Sequence, residues 1–416
     1  MRPLLILRLF LSSSRVQRKR AALTVAGIAW GTVAILLLLA YGEGLHYQLA
    51  KNQRGMGENL AVLWPGQTSK PWKGLPEGRP IQIRKEDVEL IRRRVPEVAM
   101  ACGEHQQWGV NMTCGATTVN AHVRGVHWQY GELRNQIPAP GGRFLDPLDE
   151  QRKRRVVFIG DKLAADLFGA ADPVGRQVLL NEVPFTVVGV LVHKLMMGNY
   201  GGMDDDHAVI PITTFEAQFG RQILEVIVIK PRSPELMPAA LAGVKQALSG
   251  RHAFDPTDDK VFGIWDTVES TRSFAAFLIG LEIFLAVVGG LTLLVGGIGV
   301  ANIMVAVVKE RTHEFGVKMA LGARRSWITL PVVLEALSFT ALGGVLGLAL
   351  AVGLIWVLGM LPTGGSLAME MMGRPRLSPA VGLGTAALLG FVGLLAGYFP
   401  ARRAASIEPA ETLRYE

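Results

Sequence analysis

Four long apolar runs stand out in the pattern of hydrophobic and polar positions along the chain. They occupy residues 21–40, 275–308, 327–361 and 377–401. A helix rises about 1.5 Å per residue, so about 20 apolar residues cross the hydrocarbon core of a bilayer. The runs therefore predict four transmembrane helices. Residues 1–20 carry basic residues and leucines but no acidic residue, which predicts an amphipathic helix at the membrane surface.

Residues 41–274 contain no further segment that is long and apolar enough to cross a membrane. Alternating short runs predict strands here, with helices between them. The clearest part is a strand at 156–159, a helix at 161–168 and a hairpin of 177–180 with 185–190 across a turn at 181–184. Other predicted elements are helices at 84–94, 213–219 and 234–248, a strand pair within 97–125, and strands at 208–212, 224–229 and 261–265. The fold class is an α-helical membrane protein with a large α+β domain inserted between helices 1 and 2.

The charge distribution predicts how the chain is oriented in the membrane. Half of the 416 residues are hydrophobic and the net charge is +8, with a mean hydropathy of +0.30. The basic residues cluster beside the apolar runs, in 1–20, 309–326 and 402–416, so anionic lipid, and not nucleic acid, is the expected partner. The positive-inside rule then places both termini in the cytoplasm, with residues 41–274 and the loop 362–376 on the other side of the membrane. A cleaved signal peptide is the alternative for the first run, but that run is longer than a usual signal-peptide core.

The connection 309–326 is dense in charges of both signs and its spacing predicts a short helix. Glu314 precedes Lys318 in the favourable i,i+4 order, and Phe315 and Met319 share one stripe. Gly322 is expected to end the helix. On spacing alone, an ordinary basic turn that only fixes orientation is an equal alternative.

The sequence of this connection resembles the signature of FtsX-like and macrolide-exporter-like (MacB) permeases of ABC transporters, in which the segment meets the ATPase subunit. The departures are mild: His313 stands where a basic residue is frequent, and Phe315 replaces the commoner isoleucine. The resemblance extends to 158–191 and to the Pro-Ala-Arg-Arg-Ala-Ala ending near residue 400. It implies contacts of charged side chains with an ATPase, and apolar side chains filling a cleft. The residues that it implicates in coupling are Glu310, Arg311, Glu314, Phe315, Gly316, Lys318, Met319, Ala320, Leu321, Gly322 and Ala323.

No Gly-Lys dipeptide, and hence no phosphate-binding P-loop, occurs in the chain. The resemblance therefore implies a non-catalytic permease without a cofactor of its own, which works as a dimer with a second copy or a paralogue and is driven by a separate ATPase that binds ATP and Mg²⁺. It implies mechanical movement of an outer domain, for export of a drug, a peptide or another periplasmic substrate. A periplasmic membrane-fusion protein and an outer-membrane channel are further implied partners. Lipoprotein release, regulation of a cell-wall hydrolase and a non-transporting membrane sensor are the alternatives.

Two groups of residues in the outer domain are candidates for other chemistry. Cys102 and Cys114 offer one intramolecular disulfide. Free thiols are the alternative, while a metal site that adds His105 and His122 fits no standard zinc spacing. The acidic run at 203–207 is predicted to be a solvated loop.

Small residues four apart predict close helix packing in the membrane, either within one chain or between two copies. These positions are Gly297, Ala301, Gly343, Gly347, Gly393 and Gly397. Glu335 lies about eight residues into the third run, at a depth that predicts contact with other helices or water. A structural partner or an extended side chain is favoured there over a proton relay.

Overall fold

A computed structural model describes residues 18–194, 200–360 and 374–406, with side chains for all of these except 18, 20 and 49–54. The amphipathic helix predicted within 1–20 and much of the predicted segments 362–376 and 402–416 lie outside the described residues. The chain divides into two compact units, Met1–Gln48 with Ala276–Glu416, and Leu49–Ala275.

Long helices lie toward both ends of the chain, and strands with shorter helices lie between them. The helices are α1 (Arg18–Met56), α2 (Lys85–Arg94), α3 (Tyr130–Leu133), α4 (Pro147–Gln151), α5 (Asp161–Phe168), α6 (Ile212–Phe219), α7 (Met237–His252), α8 (Thr267–Glu310), α9 (Thr312–Ala320), α10 (Arg325–Met360) and α11 (Pro379–Ala405). The strands are β1 (Ala61–Pro65), β2 (Val98–Cys114), β3 (Thr117–Val126), β4 (Val156–Ile159), β5 (Gln177–Leu180), β6 (Val183–Val190), β7 (His207–Pro211), β8 (Val226–Pro231) and β9 (Phe262–Asp266).

Among the described residues, four helices are long and apolar enough to cross a membrane: α1, α8, α10 and α11. This confirms the predicted number. Two of them are longer than their apolar runs, since α1 continues past residue 40 to Met56 and α8 begins at Thr267, before residue 275. Helical hydrogen bonds do not require an apolar sequence, so hydropathy marks only the part of a helix that suits lipid.

The second unit is built on a sheet in which the long strand β2 takes part twice. The pairing order β2, β3, β7, β4, β6, β5 returns to β2, so these strands close into a ring. The first half of β2 pairs instead with β8, which continues through β1 to β9. A register shift between Gln107 and Val110 interrupts the pairing of β2 with β3. The domain is therefore α+β with mixed pairing, since β3 with β7 and β4 with β6 are parallel.

Each part of the sheet has its own apolar core. Helices α5 and α6 contribute Leu163, Leu167 and Phe215 to the core of the ring. Helices α2 and α7 contribute Ile91 and Val244 to the core beside β1 and β8. The two helix pairs therefore supply the apolar faces that the two parts of the sheet need.

The hairpin of β5 and β6 differs from its prediction at the turn. The structure has a two-residue turn, in which Asn181 and Glu182 have φ of 45° and 68°, and β6 already begins at Val183. Two successive residues with positive φ match the right-handed twist of a hairpin. The strand 156–159 and the helix 161–168 are confirmed with these bounds.

The structure corrects the candidate disulfide. Cys102 and Cys114 are free thiols, and both lie on β2. A strand rises about 3.3 Å per residue, so their Cα atoms are far beyond the roughly 7 Å that a disulfide spans. Burial raises the pKa of the Cys102 thiol to about 12, so this group is an inert part of the core.

Candidate functional site

The charged connection between the second and third membrane helices forms a short helix of its own. Helix α8 ends at Glu310, Arg311 is a single turn residue, and α9 begins at Thr312. The Arg311 N–H donates to the Val307 carbonyl at 3.1 Å, and the Thr312 hydroxyl donates to the Val308 carbonyl at 3.0 Å. Hydrogen bonds thus continue across the joint, which fixes α9 to the end of α8.

A Schellman motif closes α9 at the glycine that the sequence predicted as its end. The Ala323 N–H donates to the Lys318 carbonyl and the Gly322 N–H to the Met319 carbonyl, both at 3.0 Å. Gly322 has φ of +85°, and a Cβ added there would have no neighbour within 4 Å. Glycine is therefore required by backbone conformation and not by space.

One face of α9 is packed and the other is open. Phe315 is only 5% exposed and belongs to the core of the first unit, which we call the membrane unit because it holds most of the four long helices. Met319 packs against that core. On the open side Lys318 Nζ lies 2.6 Å from Glu314 Oε1, with both side chains about half exposed. Leu321 is 83% exposed. The Phe315 ring is therefore buried within the chain in this conformation, and its predicted place in a partner's cleft stays a prediction.

The first residue of the connection is tied to the third membrane helix. Arg311 Nη1 lies 3.4 Å from Glu335 Oε2, and the Glu335 side chain is 8% exposed. Glu335 is on α10, so this ion pair joins the α8–α9 turn to the next span. Sequence placed Glu335 against other helices but did not identify its partner.

The predicted small residues pack within this chain. A Cβ added at Gly343 would lie 2.7 Å from Ile28 Cβ, and one at Gly347 would lie 2.5 Å from Thr32 Cβ. These two glycines of α10 therefore allow close approach of α1.

The fourth helix uses its glycines in the same way. A Cβ at Gly397 would lie 2.7 Å from Ala336 Cβ, and one at Gly393 would overlap Thr340, both on α10. A Cβ at Gly297 of α8 would lie 2.5 Å from Val392 Cγ1 of α11. Ala301 packs against the same core.

Sequence reasoning missed a second set of packing glycines. A Cβ at Gly289 would lie 2.7 Å from Ile35 Cγ1, and one at Gly296 would lie 3.2 Å from Ile28 Cγ1. Both glycines are on α8 and face α1. Gly289 and Gly296 are seven residues apart, which is two helical turns. Small residues at this spacing share one helix face, but the four-residue spacing used for the prediction does not include them.

The second unit (Leu49–Ala275), which corresponds to the predicted outer domain, contains a buried group of charged and phenolic side chains that sequence reasoning also missed. Asp204 Oδ2 lies 2.9 Å from Lys194 Nζ, and Asp204 Oδ1 lies 3.3 Å from Arg134 Nη2. Arg124 Nε lies 3.3 Å from Glu104 Oε1. Burial would raise the pKa of the Asp204 carboxyl, but Arg134 and neighbouring donors hold it well below its usual range.

The acidic run 203–207 is therefore not the solvated loop that its composition predicted, since Asp204 and His207 are buried. The candidate metal ligands are not brought together either. His105 Nδ1 lies 3.1 Å from Glu225 Oε2, whereas His122 stacks on Trp108 with ring centroids 3.7 Å apart. Within residues 18–194, 200–360 and 374–406, no group of three or more metal-binding side chains is close enough to hold an ion.

Four helices that are long and apolar enough to cross a membrane, and strands that follow the first of them along the chain, point to a polytopic membrane protein. The model of the MacB-like periplasmic core domain matches residues 21–247, which is more than half of the chain. The model of the FtsX-like permease C-terminal region matches residues 286–409. The chain therefore belongs to this family of ABC transporter permeases.

Two relatives that are similar in sequence agree with this assignment. A macrolide export ATP-binding/permease protein, MacB, from an Azoarcus species is 32% identical over 411 residues, which cover 98% of this chain and 59% of that protein. The pyoverdine export ATP-binding/permease protein PvdT from Pseudomonas syringae pv. syringae is 32% identical over 405 residues, covering 96% and 58%. This chain thus spans less than two thirds of the length of either relative. The crystal structure of the periplasmic region of MacB from Actinobacillus actinomycetemcomitans aligns with a TM-score of 0.43 at 19% identity, over 55% of this chain and 97% of that chain.

Proposed function

We propose that this chain is the permease subunit of an ABC exporter and that an ATPase on a separate polypeptide drives it through α9. The observation that carries the proposal is the construction of α9. A Schellman motif and the Arg311–Glu335 ion pair fix the helix, yet its open face presents Glu314, Lys318 and Leu321 to solvent. Exposed charges keep this face out of lipid, and on a rigid helix they can match the charges of a protein partner.

Helix α8 gives α9 a route to the outer domain. It is one helix of 44 residues from Thr267 to Glu310, which corresponds to about 66 Å at the standard rise. Its first residue follows β9 directly, and its last precedes the turn at Arg311. Displacement of α9 would therefore move a continuous helix that begins at the sheet of the outer domain.

The remaining parts of the proposal follow from charge and from the relatives. Arg324, Arg325, Arg402 and Arg403 lie at one end of α10 and α11, and the positive-inside rule places that end, α9 and both termini in the cytoplasm. The outer domain is then periplasmic. The names of the relatives combine ATP binding with a permease, and we assign ATP and Mg²⁺ to the partner of this chain. We further propose that the chain works as a dimer and exports a drug, a peptide or another periplasmic substrate. Its other partners would be a membrane-fusion protein and an outer-membrane channel.

The test is co-purification of an ABC ATPase with the tagged chain from native membranes. Glu314→Lys and Lys318→Glu each place two like charges four residues apart, whereas the double exchange restores an opposite pair within α9. We expect all three variants to lose the ATPase, because the charges offered to the partner are inverted even where the internal pair is kept. Lys162→Glu is the matched control, since Lys162 is exposed on α5 and its variant should retain the ATPase.

Retention of the ATPase by the double exchange would contradict the assignment of α9 as the docking surface. Failure of the unmodified chain to bring down any ABC ATPase would instead favour the membrane-sensor alternative.

A further inference from the structure

One edge of the sheet in the second unit has no partner strand. Strand β9 (Phe262–Asp266) pairs with β1 on one side, and no described strand pairs with its other side. Its register with β1 is regular over all five residues, and the strand contains neither proline nor lysine. Bulges, prolines and lysines are the devices that commonly blunt an exposed edge. The outer edge of β9 is therefore open to pairing.

The hydrogen bonds with β1 determine which backbone groups of β9 point outward. At one end of the ladder the Gly66 N–H donates to the Val261 carbonyl at 2.8 Å, and at the other end the Thr267 N–H donates to the Leu60 carbonyl at 2.9 Å. In an antiparallel pair, residues that bond to the partner strand alternate with residues whose N–H and C=O face away. The odd-numbered residues of this segment therefore bond to β1, and the even-numbered residues face away from it.

The outward groups form a short row of main-chain donors and acceptors. Phe262 and Ile264 each present an N–H and a carbonyl, and outside the ladder no described residue forms a hydrogen bond with these groups. The row ends at Asp266, whose carboxylate accepts the Val268 N–H at 2.8 Å at the start of α8. Donors and acceptors that repeat at strand spacing are complemented by the backbone of another extended chain.

A groove lies beside this edge, and we call it the β9 groove. It has a volume of about 430 Å³ and is lined by α7, by residues 256 and 257 and by Ile264. On the α7 side Pro238, Leu241 and Ala242 contribute apolar surface. Because side chains alternate between the two faces of a strand, every second side chain of a strand added to β9 would point into this groove.

The charge of the groove wall is already balanced. Lys245 is the charged residue in the lining, and its Nζ lies 2.7 Å from Asp259 Oδ1. The groove therefore favours apolar side chains and selects for neither sign of charge. Tyr200, which follows the undescribed residues 195–199, belongs to the core on the opposite face of the sheet, whereas Ile264 packs against the core on the α7 face.

We propose that β9 and the β9 groove bind an extended segment of another polypeptide, which adds to the sheet as a further strand. Its backbone pairs with the outward groups of Phe262 and Ile264. Its alternate apolar side chains enter the groove beside Leu241. The row of main-chain groups identifies the occupant, because a lipid tail has no donors and acceptors to match it. This surface is separate from α9, and its occupation requires no ATPase.

The probe is a fluorescent peptide of about ten residues, in which valine and threonine alternate between terminal lysines. Its binding to the full-length protein in nanodiscs is measured by fluorescence anisotropy. Two further forms of the peptide are N-methylated, one at the valines and the other at the threonines. The N–H groups of the two residue types lie on opposite edges of the extended peptide, and only one edge pairs with β9. One methylated form should therefore bind about tenfold or more weakly, while the other binds like the parent peptide.

Variants of the protein test the groove and the edge separately. Ala242→Trp fills the groove and should weaken binding about tenfold, whereas Ala165→Trp is the matched control, since Ala165 is an exposed alanine of α5. Ile264→Pro removes an outward donor and keeps the ladder with β1, so it should weaken binding about five- to tenfold. Ile264→Ala keeps that donor and should lose less. Binding of the parent peptide should also slow hydrogen exchange in residues 262–266.

Three outcomes would overturn the proposal. Equal affinity of the two methylated forms, whether kept or lost, would show that the peptide does not bind as an added strand. Unchanged binding in Ala242→Trp would exclude the groove. Conversion of a dimer to a monomer by Ala242→Trp, but not by Ala165→Trp, would assign the edge to a second copy of this chain. None of these results bears on ATPase docking at α9, so the two proposals fail separately.

Discussion

Replacement of Gly322 by alanine should make the hydrogen bonds at the end of α9 open more often, and the structure predicts by how much. Gly322 has φ of +85°, and an added Cβ would meet nothing within 4 Å, so the cost comes from the backbone alone. A residue with a Cβ pays about 1–2 kcal/mol in the left-handed region. If the Schellman hydrogen bonds open when α9 frays, that cost corresponds to about five- to thirtyfold faster exchange of their amide protons.

Hydrogen–deuterium exchange of the purified protein in detergent measures this effect in peptides that cover 318–323. Gly322→Asn should show a smaller increase, since asparagine tolerates the left-handed region better than alanine. Gly353→Ala is the matched control, because Gly353 is helical and equally free of neighbours. Alanine should slow local exchange there, as it favours a helix by about 1 kcal/mol over glycine. Unchanged exchange in Gly322→Ala, or an increase in Gly353→Ala of the same size, would refute the reasoning.

Three further predictions test other parts of the structure. Gly347→Ala should lower the thermal unfolding midpoint in detergent, because its Cβ would lie 2.5 Å from a side-chain carbon of α1. We expect overpacking to lower the free energy of unfolding by about 1–3 kcal/mol. A midpoint equal to that of Gly353→Ala would contradict this packing. Arg311→Gln and Glu335→Gln should each lower the free energy of unfolding by about 1–3 kcal/mol, a range that allows for the partial exposure of the arginine. The double variant should lose less than the sum of the two single losses. Strict additivity in urea unfolding would show that the 3.4 Å pair contributes nothing. Burial and neighbouring charges lower the pKa of His122 from 6.5 to about 2, so its contribution to stability is complete above about pH 6.5 and is lost as the pH falls toward the folded-state pKa. The free energy of unfolding of the outer domain should therefore fall between pH 7 and pH 5, less steeply in His122→Phe, and equal slopes would contradict a neutral buried imidazole.

Local features of the fold were predictable because they depend on neighbours in sequence. The strand 156–159 and the helix 161–168 have the predicted bounds, since apolar periodicity and nearby turns determine them. Gly322 ends α9 as expected, because few other residues tolerate its φ. The capped helix could therefore be located from sequence, and the surface it offers to a partner remains a prediction.

Features that depend on distant contacts were not predictable. The closure of β2 against β5 joins strands far apart in sequence, and the length of β2, which separates the two cysteines, follows from those partners. Asp204 lies in an acidic run that is typical of solvated loops, but Arg134 and Lys194 surround it in the fold. Likewise, nothing near Glu335 in sequence identifies Arg311 as its partner.

The sidedness of the chain tests the central claim most directly, because α9 can receive force from a cytoplasmic ATPase only if it faces the cytoplasm while the outer domain faces away. Single cysteines at Leu321 and Leu236, both exposed, can be introduced after replacing Cys102 and Cys114. With a membrane-impermeant maleimide, Leu236→Cys should react in spheroplasts, and Leu321→Cys only in inverted membrane vesicles. Reaction of both cysteines from the same side of the membrane would contradict the account.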